Sequence, residues 1–171
     1  EPHVMVDPSN PEIIIGAWQQ DRWNNGGAEG NVSATSLNGG ASWTINAQTK
    51  SSNCTGGTPA NGGNFERASD PWVAISPDGT AYLMSLSTDT APGGFDTNPD
   101  DMLVTRSTDH GATWEDPVSL NRDESPNAFN DKNAITADPN DSDFVYAVWD
   151  LVVSPPSGNE NQQAFENAIA F

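Results

Sequence analysis

The sequence is poor in positive charge. Six Lys and Arg stand against 24 Asp and Glu in 171 residues, giving a net charge of −18. Such a chain repels polyanions and has no basic stripe to offset the repulsion, so nucleic acid is excluded as a partner. Anionic membrane surfaces are disfavoured for the same reason. Cysteine is nearly absent. Cys54 stands alone, so no disulfide can form within the chain. It lies in a Gly/Ser/Thr/Asn loop over residues 51–63 with no His or second Cys beside it to build a zinc site. The two histidines, His3 and His110, are too isolated to suggest zinc binding or a catalytic triad. No apolar run reaches 18 residues, which excludes a membrane-spanning helix. Apolar residues make up only 35%.

What the chain has instead is turn chemistry and large aromatics: 15 Gly, 13 Pro, six Trp and six Phe. That profile suits short strands joined by many turns, and the length suffices for one domain with its own core. The chain opens on Glu1-Pro2-His3-Val4 without Met, the expected look of a mature or trimmed product.

One short motif occurs twice. Ser36-Leu37-Asn38-Gly39-Gly40-Ala41-Ser42-Trp43 and Ser107-Thr108-Asp109-His110-Gly111-Ala112-Thr113-Trp114 share four identities and two conservative pairs, with their tryptophans 71 residues apart. Asn38 and Asp109 are residues that bond their own backbone in tight turns. Gly40 and Gly111 supply positive φ without steric cost. Ser42 and Thr113 lead back into a strand, and Trp43 and Trp114 are expected to fold back as apolar plugs. The motif is therefore read as an architectural strand–turn–strand corner.

The repeat extends beyond the corners. Short apolar strands precede Pro8, Pro77 and Pro139, each stopped by a turn. A second, more hydrophobic strand follows over residues 13–18, 81–86 and 144–149. A third runs over residues 31–35 and 102–106, and a fourth over 42–45 and 113–118. The pattern predicts an all-β fold: a β-propeller of four-stranded antiparallel blades. Blade one is expected over residues 1–50, blade two over 70–120 and an incomplete blade three over 131–171. With about two and a half blades against the 4–8 of a closed ring, the ring is incomplete in this chain. The remaining blades are expected from the same precursor or from another chain.

The repeated corner resembles the Asp-box, or BNR repeat, of sialidases and related propellers. Further segments carry the resemblance: Gly16-Ala17-Trp18-Gln19-Gln20-Asp21-Arg22-Trp23, Arg67-Ala68-Ser69-Asp70-Pro71-Trp72-Val73, Phe129-Asn130-Asp131-Lys132 and Phe144-Val145-Tyr146-Ala147-Val148-Trp149-Asp150. The whole chain looks like the N-terminal part of secreted, sialidase-like bacterial proteins, which implies a secreted or cell-surface location and a glycan ligand. Asp-boxes also occur in sortilin-type receptors, glycan lyases, xyloglucanases and photosystem assembly factors, so the motif speaks for the fold rather than the activity.

Propeller geometry, as the resemblance implies it, opens the start of each first strand and the loop between strands two and three on one face. Alignment on Pro8, Pro77 and Pro139 makes Glu1, Asp70 and Lys132 equivalent. Asp70 and Asp131 are the candidate catalytic pair, since paired carboxylates serve acid/base chemistry on glycosides. Asp21, Arg22, Trp23, Arg67, Lys132 and Asp150 are the candidate substrate-binding residues, with Asp89 and Asp96 on the loop of blade two. The competing reading makes each an ordinary turn or surface residue. The resemblance implies three Arg, a Tyr/Glu nucleophile pair and an Asp acid in a true sialidase. Here Tyr82 and Tyr146 fall inside expected second strands, Arg106 precedes the second corner and Arg122 follows a fourth strand. No nucleophile is identifiable. The function expected is thus a glycan-acting propeller, a candidate exo-sialidase-like glycoside hydrolase; a non-catalytic binding or structural propeller of a surface or extracellular assembly is the alternative. No cofactor is expected. The acidic stretches Asp96–Asp101 and Asp138–Asp143 are read as metal-free turns, with calcium as the alternative.

Overall fold

A computed structural model describes residues 1–89 and 99–153, together with the backbone of a last strand at 164–170. Among the described residues, eleven strands follow one another in antiparallel meanders. Blade one contains β1 (His3–Val6), β2 (Ile14–Arg22), β3 (Ala28–Ser36) and β4 (Thr44–Asn46). Blade two contains β5 (Arg67–Ile75), β6 (Ala81–Thr88), β7 (Asp100–Ser107) and β8 (Val118–Asp123). Blade three contains β9 (Ala128–Ala137), β10 (Val145–Val153) and β11 (Ala164–Ala170). Each strand pairs with its sequence neighbour, and one bridge, Ala28 to Ala68, ties blade one to blade two.

The blades stack face to face because both sides of the middle blade are apolar. Side chains alternate across a strand, so β5 sends Val73 and Ile75 one way and Ala74 the other. Ile15, Ala17, Val73, Ile75, Ala81, Leu83 and Trp114 fill the first seam. Ala74, Met84, Leu86, Met102, Ile135, Ala147 and Trp149 fill the second. The hairpins after β1 and β9 are set by one device. Asp7 Oδ1 accepts from the backbone N–H of Ser9 and Asn10 at 2.7 and 3.2 Å, and Asp138 Oδ1 from those of Asn140 and Asp141 at 2.8 and 3.2 Å.

The two corners have the same internal wiring. Ser36 Oγ donates to Asn38 Oδ1 and accepts from Gly40 N–H; Ser107 Oγ does the same with Asp109 and Gly111. Asn38 Oδ1 and Asp109 Oδ1 accept from the N–H of Ser42 and Thr113 at 2.9 and 2.8 Å. Gly40 and Gly111 have φ of 91° and 80°, the left-handed region that favours glycine. The tryptophans differ. Trp114 is 4% exposed and plugs the seam between blades one and two, whereas Trp43 is 46% exposed and bonds back to Gly40 O at 3.1 Å. Trp43 therefore does not form the expected plug: among the described residues, no blade lies on that side of it.

The strands depart from expectation in further places. The fourth strand of blade two is β8, which lies beyond the 113–118 expected. Residues 113–117 instead form the exit of the corner, where Glu115 N–H bonds Arg106 O at 2.8 Å. Arg122 accordingly lies within a strand rather than after one. The fourth strand of blade one shrinks to three residues. Strands β2, β5 and β9 run longer than the apolar pattern, because their ends are polar but still paired, and β10 continues past Asp150 through the paired Leu151, Val152 and Val153. Hence Gln19, Gln20, Asp21, Arg22 and Asp150, expected on loops, are strand residues. The loop assignment holds for Trp23; Asp96 lies outside the described residues.

Candidate functional site

The first strands of blades two and three are both broken at the same point. Register slips between Ser69 and Trp72 in β5, and β9 slips opposite the Val148–Asp150 step of β10. At these bulges Asp70 and Lys132 have φ of 46° and 53°. The left-handed region costs a non-glycine residue about 1–2 kcal/mol, and such strain persists where neighbours hold it in place. They do so here. Ser69 Oγ donates to Asp70 Oδ1 at 2.8 Å and accepts from the Gln19 side-chain amide. Asn31 Nδ2 donates to Ser69 O at 2.8 Å, and Asn133 Nδ2 to Asp70 O at 2.9 Å. A bulge re-aims a side chain out of the ladder, and the consequence is a charged cluster at the strand starts.

Lys132 Nζ is the centre of that cluster. It lies 3.7 Å from Glu1 Oε1, 4.0 Å from Asp70 Oδ2 and 3.8 Å from Asp131 Oδ1. Asp131 is pushed above the usual carboxylate range, first by burial and then by Asp70 and Glu1, with Lys132 and its backbone N–H opposing. Lys132 is raised chiefly by Asp131, then by Asp70. Asp150 is the cross-strand partner of Asp131, so a fourth carboxylate-bearing residue borders the group.

The other candidates lie apart from this cluster. Arg67 is buried; its guanidinium lies 4.8 Å from the Trp23 ring centroid, and its Nη1 donates to Asn25 Oδ1 and Gly26 O, both at 2.8 Å. Its Nε has no partner. Asp21 and Arg22 are exposed at the end of β2, and Asp21 accepts from the Gln20 amide at 3.1 Å. The structure thus brings Asp70, Asp131 and Lys132 together around Glu1. It brings Trp23 and Arg67 together separately, three residues from Asp70 along β5.

Two features escaped sequence reasoning. His3, dismissed as isolated, stacks on Trp72 with ring centroids 4.1 Å apart, and its Nδ1 accepts from Val73 N–H at 3.2 Å. Both rings line a cavity of about 320 Å³ shared with Met5, Ala134, Tyr146 and Val148. His3, Trp72 and Ala134 each stand two residues beyond Glu1, Asp70 and Lys132, a signal available from the alignment. The second feature is a buried knot between blades two and three. Asp100 Oδ1 accepts from both the backbone and side-chain N–H of Asn130, Asn121 Nδ2 donates to Asn130 Oδ1 at 2.7 Å, and Asp100 Oδ2 is buried without a partner. Burial raises Asp100 to about 7, against the lowering by Asn130. No sequence pattern marks this knot. The carboxylates of Asp138 and Asp141 accept backbone N–H groups within their turn. Among the described residues, no set of three His, Cys, Asp or Glu side chains converges as metal ligands.

No family model and no curated protein matches the sequence. Solved structures do match in fold. A Hadza microbial sialidase superposes with a TM-score of 0.62 at 18% identity, over 99% of this chain and 34% of that one. A protein of unknown function from Dyadobacter fermentans gives 0.56 at 16% identity, over 98% and 49%. A PL25 polysaccharide lyase, an ulvan lyase, gives 0.51 at 17% identity, over 89% and 32%. The chain spans a third to a half of these relatives' length. Among the described residues, no helix is long and apolar enough to cross a membrane. The fold is an all-β partial propeller.

Proposed function

We propose that this chain is part of a secreted or cell-surface propeller that acts on glycans, with its site where β1, β5 and β9 begin. The Asp-box reading of the corners and the three-blade division belong to the same proposal. The observation that carries it is the cluster itself: one ammonium, Lys132, within 4.0 Å of carboxylates from equivalent bulges of two blades. Two acids that share one ammonium lie within reach of the about 5–9.5 Å separation at which paired carboxylates cleave glycosides. Asp131, raised first by burial, is assigned as the acid of the pair and Asp70 as the base. Lys132, Trp23, Arg67, Asp21, Arg22 and Asp150 position the sugar through charge, stacking and hydrogen bonds. A glycan panel assayed for binding and hydrolysis tests this reading. Asp131→Asn and Asp70→Asn should retain binding and lower turnover by roughly 10²–10⁴-fold; unchanged turnover in both rejects the catalytic roles.

A non-catalytic binding propeller is the second reading. It is favoured by the placement of both tyrosines, Tyr82 and Tyr146, within β6 and β10 rather than at the cluster. Binding without turnover for every glycan in the panel selects it.

A further inference from the structure

Three asparagines are followed by a glycine pair: Asn25-Gly26-Gly27, Asn38-Gly39-Gly40 and Asn61-Gly62-Gly63. In an Asn-Gly step the glycine nitrogen can attack the asparagine side-chain carbon, because glycine has no side chain to hinder the approach. Local sequence makes the three steps alike. The fold separates them. Gly39 N–H donates to Glu12 O at 2.9 Å and Gly62 N–H to Thr58 O at 3.0 Å, so both nitrogens are engaged. Their asparagines are held as well. Asn38 Nδ2 donates to Ser42 Oγ at 2.9 Å, and Asn61 Nδ2 to Gly56 O at 3.1 Å.

Asn25-Gly26 differs on each count. Asn25 is exposed, in a turn closed by Trp23 N–H bonding Gly27 O at 3.1 Å. Neither the Gly26 N–H nor Asn25 Nδ2 donates a hydrogen bond among the described residues. Asn25 Oδ1 accepts from Arg67 Nη1 at 2.8 Å. A cationic donor at that distance stabilises the oxyanion that forms as nitrogen adds to the side-chain carbon. Arg67 in turn is a buried cation, yet no carboxylate pairs with it among the described residues, in a chain of net charge −18. Buried charges are ordinarily paired.

We propose that Asn25 is a self-modification site, deamidated in the folded protein to give Arg67 its counter-ion. The Gly26 N–H proton passes to water and the nitrogen bonds Asn25 Cγ. The bond from Cγ to Nδ2 breaks, and Nδ2 leaves as ammonia with a proton taken from water. Water then opens the cyclic imide at either carbonyl, giving aspartate or isoaspartate. The aspartate product keeps an oxygen against Nη1 and turns a bond to a neutral amide into an ion pair.

Peptide mass spectrometry of the folded, full-length protein held in neutral buffer, with isoaspartate detection at each of the three steps, tests the proposal. Asn25 should convert about tenfold faster than Asn38 and Asn61, the factor that one hydrogen bond on the attacking nitrogen is worth. In denaturant the three rates should converge. Equal rates in the folded protein overturn the proposal, as does an Asn25 lead that persists in denaturant. Asn25→Asp provides the second measurement. It should raise the urea midpoint, and Arg67→Gln should abolish that rise; a midpoint that does not rise, or that rises equally without Arg67, overturns the counter-ion assignment.

Discussion

Trp114 reaches across the first blade seam to Ser33, its indole nitrogen 2.9 Å from the hydroxyl oxygen, while Trp43 at the same motif position turns back on its own corner. Motif identity therefore does not determine the energetic role of a residue; the presence of a neighbouring blade does.

Trp114→Ala should accordingly cost about 3–5 kcal/mol, the range for removing a buried aromatic. Trp43→Ala should cost under about 1 kcal/mol in this chain, since it truncates a half-exposed ring. Ser33→Ala should cost about 0.5–1.5 kcal/mol. A double-mutant cycle with Trp114→Phe, followed by urea denaturation, should return a coupling of similar size. Equal losses at the two tryptophans would contradict the seam assignment.

Glycine substitutions separate backbone strain from crowding. Gly62 has φ of 81° and nothing within 4 Å of a Cβ added there, so Gly62→Ala should cost only the left-handed term, about 1–2 kcal/mol. Gly111 has φ of 80°, but its Cβ would meet Thr35 Oγ1 at 2.8 Å and Ile15 Cδ1 at 3.4 Å inside the seam. Gly111→Ala should therefore be the more destabilising of the two by thermal melt.

Asp100 makes the blade-two to blade-three seam sensitive to pH. Its folded value, about 7, lies above the ordinary 3.8, so the folded state binds the extra proton. Stability from neutral Asp100 is full below the ordinary value and is lost as pH rises through about 7. Asp123 opposite it, the adjacent Asp101 and Arg122 across from Asp101 are the charged groups around it. Denaturation midpoints should fall as pH rises from the ordinary 3.8 to about 7 in the parent chain and level off above that. Asp100→Asn should flatten that fall, and an unchanged slope would show that Asp100 is not its source.

Much of the architecture was legible because it rests on local chemistry. Asp7-Pro8 and Asp138-Pro139 mark hairpins through their side-chain turns, and the Gly40 and Gly111 corners through positive φ. Strand ends were less legible. Gln19 to Arg22 are polar, yet they pair with β3, and hydrophobic periodicity cannot register a strand end held by backbone bonds alone. The equivalence of Asp70 and Lys132 was readable from the prolines seven residues on. Their left-handed bulges were not, because neither residue type requires positive φ. The Asp100–Asn130 knot was invisible, since it joins residues 30 apart whose side chains look like surface residues.

The electrostatics of the cluster give the last prediction. Asp131 is raised by burial first, and then by Asp70 and Glu1, against the pull of Lys132. Lys132→Met removes the opposing cation and should push Asp131 higher still. Asp70→Asn removes a like charge and should bring Asp131 back toward the ordinary carboxylate range, because charge on a neighbour is a separable contribution from burial. Glu1→Gln should act in the same direction as Asp70→Asn, but more weakly. Carboxyl-carbon NMR titration of Asp131 in the three variants reads these shifts directly. If Lys132→Met left Asp131 unmoved, the ammonium would not be coupled to it in solution, and the ion cluster on which the candidate site is built would be contradicted.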